Sequence, residues 1–141
     1  MKWAVLIGVF LLLAVLFVIA GSPRDIFKTK VVASHEVSAI VNLRLIAERQ
    51  DAFRRIHNGS FADALPLLDG VRPIDYGYAY SFQAIRRDER GSVTGYVVTA
   101  SPTVPGQTGV RYFSMDETGI IRWEAGRPTD AQSPSLKWGN P

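Results

Sequence analysis

The chain has 141 residues, with 16 Lys and Arg against 13 Asp and Glu, a formal net charge of +3 and no cysteine. The lack of Cys excludes disulfide staples, thiolate nucleophiles and Cys-based metal centres, and a near-balanced charge with no basic patch interleaved with aromatics argues against a nucleic-acid partner. Once an apolar N-terminal run is set aside, the length leaves material for one small domain.

Residues 3–21, WAVLIGVFLLLAVLFVIAG, carry no charge. At helical rise they extend roughly 28 Å, about the hydrocarbon thickness of a bilayer, so 1–21 is expected to be an uncleaved anchor. A signal peptide cut near Val18-Ile19-Ala20 is the competing reading. Ser22-Pro23-Arg24-Asp25 then opens a helix: Ser can cap free N–H groups, Pro suits the first helical position, and the acid complements the helix dipole. Asn58-Gly59 is a stop signal, and no Gly or Pro lies between, so 22–58 is expected to be one long amphipathic helix. From 37 to 47 apolar residues occur almost all the way round (Val37, Ala39, Ile40, Val41, Leu43, Leu45, Ile46, Ala47), which calls for burial on more than one side. From 45 to 56 they narrow to a stripe of Leu45, Ile46, Ala52, Phe53 and Ile56. Arg49 interrupts that stripe and is expected to snorkel out or to pair with Asp63 or Asp116.

Beyond the helix, residues 60–76 hold Pro66, Gly70 and Pro73 and read as a turn-rich connection with one helical turn at 61–65. The period then changes from 3.6 to 2. In 76–85, Tyr78, Tyr80, Phe82 and Ala84 share a face; in 93–100, Thr94, Tyr96, Val98 and Ala100 do so. The polar link 86–91 reads as a hairpin loop. Two further strands, 110–115 and 120–124, flank Asp116-Glu117-Thr118-Gly119, a tight turn with Gly in the left-handed position. The expected architecture is therefore α+β, a long helix packed on a four-stranded antiparallel sheet spanning 59–124, with 125–141 as an extended or disordered tail.

Residues with chemistry are few. His35 and His57 lie 22 residues apart on one helix, cannot meet within the chain, and read as surface residues. Asp88-Glu89 is a solvated turn pair. Asp116-Glu117 with Gly119 lacks the full Asp-x-Asp-x-Asp-Gly ligand spacing for calcium and reads as a plain hairpin. No nucleophile elbow, phosphate-cradling loop or H-E-x-x-H motif occurs. No catalytic residue, cofactor, metal or small-molecule substrate is expected. The aromatic set Tyr76, Tyr78, Tyr80, Phe82, Tyr96, Tyr112, Phe113 and Trp123 exceeds what one sheet face can bury, so Tyr78, Tyr96 and Trp123 stand as candidate exposed contacts.

Several segments together carry a resemblance. HEVSAIVNLR at 35–44, GSFADAL at 59–65, GYAYSF at 77–82 and GYVVTASPTVPGQTGVRYFSMDETGIIR at 95–122 resemble the bacterial type IV pilin and pseudopilin family in order and spacing. Family members begin with a short basic leader, a Gly before the cleavage site, and a Glu a few residues into the apolar run; this apolar run holds no acid. The resemblance implies a membrane-anchored, non-enzymatic structural protein, an atypical subunit or accessory of a pilus or type II secretion-like assembly. Its partners would be the membrane and other pilin-like subunits. The implied location is the bacterial inner membrane, single-pass, with the sheet domain periplasmic or extracellular. Helix packing would run through Val37, Ile40, Val41, Leu43 and Arg49. The alternative is a stand-alone extracytoplasmic binding module that reuses the fold, meeting a partner through the aromatic sheet face or the 101–109 loop.

Overall fold

A computed structural model describes residues 23–136. The chain divides into two compact units, Met1–Val31 and Val32–Pro141. Of the first, the described residues are helical, with the Thr29 hydroxyl donating to the Asp25 carbonyl at 2.9 Å. The packing below is that of the second.

Helix α1 spans Pro23–Ile56, so the expected long helix forms, and it ends where Asn58 and Gly59 both turn left-handed (φ 52 and 87). The sheet differs from expectation. It has five antiparallel strands in sequential order rather than four: β1 (Ile74–Asp75), β2 (Tyr78–Arg87), β3 (Val93–Pro102), β4 (Arg111–Asp116) and β5 (Ile121–Ala125). The extra strand is the two-residue β1, joined to β2 by Tyr76-Gly77. Both turn residues have positive φ (43 and 75), the geometry that matches the twist of a two-residue hairpin. A strand this short, next to Pro73 and reversed by a turn that starts with Tyr, gives no period to read.

The expected helical turn at 61–65 is also displaced. Phe61 instead bridges Val93 at the start of β3, and a 3-10 turn forms at Leu65–Leu67. The tail is an extended wrap as far as residue 136: Trp123 N–H donates to the Pro134 carbonyl and Leu136 N–H to that of Ile121, so the tail runs along the free edge of β5.

The core lies between the sheet and one side of α1. From the helix come Ala39, Leu43 and Ile46; from the sheet Tyr78, Tyr80, Val93, Tyr96, Val98, Ala100, Phe113, Met115 and Ile121; and from the connection Phe61, Ala62, Leu65 and Leu68. Aromatic rings interlock there, Phe61 edge-on to Tyr96 (5.0 Å) and Phe82 stacked on it (5.4 Å). Strand alternation holds except near the β2–β3 hairpin, where the register slips between Ala84 and Arg87. That irregularity turns Thr94 outward and puts Val93 inside, correcting the expected face of Thr94.

Among the described residues no helix is long and apolar enough to cross a membrane. This finding corrects the expected placement as a single-pass inner-membrane protein. The run 3–21, which prompted that expectation, lies outside the described residues, as do Ser22 and residues 137–141 of the tail.

Candidate interaction surfaces on the helix and the sheet

Three polar side chains fix α1, two against the sheet and one against the connection that precedes it. Glu36 reaches the start of β4, where one carboxylate oxygen accepts the backbone N–H groups of Val110 (2.9 Å) and Arg111 (3.1 Å) and the other lies 3.6 Å from the Arg111 guanidinium. That guanidinium covers the Trp123 ring at 4.8 Å. One turn and a half further on, the Asn42 amide donates to Asp75 (3.0 Å) and to the Tyr80 hydroxyl (3.2 Å), which holds β1 in place. Gln50 is fully buried and answers both backbone groups of Ala62, donating to its carbonyl at 3.2 Å and accepting its N–H at 2.9 Å. A buried amide satisfied on both sides acts as one rung of a sheet, and it takes the place of a strand partner for Ala62, next to the Phe61–Val93 bridge.

These contacts set the helix phase. Ala39, Leu43, Ile46 and Gln50 follow one another at spacings of four, three and four, one continuous stripe facing the sheet. The expected stripe was rotated from this: Ile46 is buried and Phe53 half-buried, but Ala52 and Ile56 are exposed. Leu43, expected to face a partner, has no exposed surface and belongs to the core. Arg49 is exposed, and no acid pairs with it among the described residues; of its expected partners, Asp63 lies 3.5 Å from Arg87 and Asp116 accepts from Thr118. Val37 and Val41, one turn apart on the side opposite the stripe, are 61% and 58% exposed. Ile40 is half-buried at the core margin. The helix back thus carries β-branched side chains with Ala33, Ser34 and Glu48 around them, all exposed.

Two of the sheet's aromatic residues point the other way from expectation. Tyr78 and Tyr96, expected as exposed contacts, are buried at 0% and 2% exposure, and Trp123 is half-buried against the core. Tyr78 spends its hydroxyl on the Arg111 carbonyl at 2.7 Å. Its ring passes so close to Gly109 that a Cβ there would sit 2.1 Å from the hydroxyl oxygen. Burial, and after it the Glu36 charge, raises the Tyr78 pKa; burial followed by Asp51 and Asp116 pushes Tyr96 up to about 12. Neither phenol is poised for acid–base work near neutrality. His35 is half-buried, its Nδ1 3.1 Å from the Thr108 carbonyl oxygen, and His57 stacks on Phe53 at 3.6 Å. Among the described residues no cluster of three or more His, Cys, Asp or Glu is placed to hold a metal ion.

The outer face of the sheet carries polar side chains in rows set by the register: Ser81, Thr99, Ser114 and Arg122 lie opposite one another across β2, β3, β4 and β5. The tail crosses this face and is held there by Arg122 donating to the Ser133 carbonyl at 3.0 Å and by the buried Ser133 hydroxyl donating to Glu124 at 3.1 Å. Nothing in the sequence pattern alone pairs Thr99 with Ser114 and Arg122. The signal that finds them is the strand register.

The chain matches no protein-family model, no curated protein and no solved structure.

Proposed function

We propose that this chain is a pilin-like structural subunit, an atypical component or accessory of a filament or a type II secretion-like assembly, which works by packing rather than by catalysis. The observation that carries the reading is the pair Val37 and Val41, β-branched and well over half exposed on the side of α1 that faces away from its own sheet. Apolar side chains aligned on a helix back pack most readily against another helix. The long helix followed by an antiparallel meander, and the pilin-like segments at 35–44 and 95–122, support the same reading. So does Glu36, which lies in the first of these segments and ties the helix to the beginning of β4.

Copurification of the full chain from its native cells tests the proposal. The wild-type chain is expected to bring down pilin-like chains, and the double variant Val37→Lys/Val41→Lys to lose them while its circular dichroism and unfolding midpoint stay unchanged. Retention of the same partners by a folded double variant would overturn the proposal.

A further inference from the structure

On the outer face of the sheet, strands β3, β4 and β5 and the tail segment 129–131 enclose a recess of about 350 Å³. Its floor is Val97, Thr99, Ser114 and Arg122, with Asp116 and Ile120 at the end nearest the β4–β5 turn. The volume falls at the lower end of the ~300–1,000 Å³ usual for small-ligand sites. We propose that this recess binds a neutral, hydroxyl-rich ligand, a single saccharide ring. The proposal stands independently of helix packing.

The polar groups are arranged for such a ligand. Thr99 and Ser114 are directly opposed across β3 and β4, and no hydrogen bond within the described residues engages either hydroxyl. Asp116 commits one carboxylate oxygen to the Thr118 N–H and hydroxyl. Its other oxygen is open as an acceptor. Arg122 uses one Nη to hold the tail, leaving the rest of its fork as donors. The recess therefore presents groups that only donate, groups that only accept and hydroxyls that do both, which matches vicinal hydroxyls on a ring. Val97 and Ile120 supply an apolar surface for the C–H face of the same ring.

Charge does not favour a simple ion. Asp116, Asp130 and Arg122 line the recess, and Arg127 lies 3.8 Å from Asp130, so charges of both signs stand close together and neither a small anion nor a small cation meets a site of one sign. A neutral polyol needs none. The tail wall is itself fixed: the Asp130 carboxylate accepts the Gln132 N–H at 2.9 Å and the Asp130 carbonyl accepts the Ser133 N–H at 3.2 Å, which leaves a preformed recess with little ordering cost on binding.

The experiment is amide NMR on the full chain in a sugar-free zwitterionic detergent, titrated with glucose, with maltohexaose and, for charge, with sodium acetate. Saturable shifts confined to 97–99, 114–116, 120–122 and 129–131, with a Kd in the millimolar range for either sugar, are expected. Tighter binding of maltohexaose would assign the site to a glycan chain and equal binding to the free sugar. Thr99→Val and Ser114→Ala, which preserve shape and touch no packing contact of the core, are each expected to weaken binding about fivefold, the effect of one lost hydrogen bond. Scattered or non-saturating shifts, saturation by acetate but not by sugar, or unchanged sugar affinity in both variants would overturn the proposal.

Discussion

The two sides of α1 are built from much the same residues and do opposite things. Toward the sheet, Ala39, Leu43 and Ile46 are sealed and Gln50 is satisfied by Ala62; on the back, Val37 and Val41 keep more than half their surface. Residue type alone therefore does not say which side of this helix is core. The polar pins do, since Glu36, Asn42 and Gln50 can reach Val110, Asp75 and Ala62 in only one helix rotation.

The largest break in this comparison is Leu43→Ala set beside Val41→Ala. Truncating the buried leucine is expected to lower unfolding free energy by about 2–5 kcal/mol, from lost transfer energy plus a cavity, and the exposed valine by less than about 0.5 kcal/mol. Urea unfolding measures both. Equal effects would mean that the two sides are not distinct. Next in size is Gln50→Leu, which leaves the buried Ala62 N–H and carbonyl without partners and is expected to cost about 2–3 kcal/mol, read from the same unfolding curves.

A third prediction uses pH. The Tyr96 phenol is raised to about 12 in the folded chain, chiefly by burial, against about 10 when unfolded. The protonated phenol thus favours the fold below pH 10, and that contribution disappears as pH rises toward 12. Between those limits the unfolded chain holds fewer protons, so stability falls with pH, by about 2–3 kcal/mol for this one group. Urea midpoints at pH 9 and 11.5 are expected to separate in the wild type and to converge measurably in Tyr96→Phe.

Much of the fold was legible from the residues. The helix stop at Asn58-Gly59, the change of period after Tyr76 and the turn at Gly119 (φ 76) all appear where the residue types place them, because each rests on local backbone chemistry. What was not legible depends on long-range pairing. An almost wholly apolar stretch around the helix from 37 to 47 has no phase of its own, so Leu43 was indistinguishable from Val41. Gln50 carries no signal of burial in the sequence, because its partner Ala62 is set by the path of the chain after the helix. Strand alternation shows which residues share a face, not which face is inward, and so left Tyr78 and Tyr96 as candidates for exposure. The recess needs the register of three strands and the path of the tail, neither of which is a local property.

The central claim is that the back of α1 is a packing surface for other helices. Because the chain has no cysteine, a single Cys introduced at Val41 can carry a benzophenone photocrosslinker at that position alone within the chain, and Ser81, exposed on β2, serves as the control position. In native cells the account predicts discrete crosslinked products from position 41 and none from position 81. Crosslinks from the sheet with a silent helix back would contradict it.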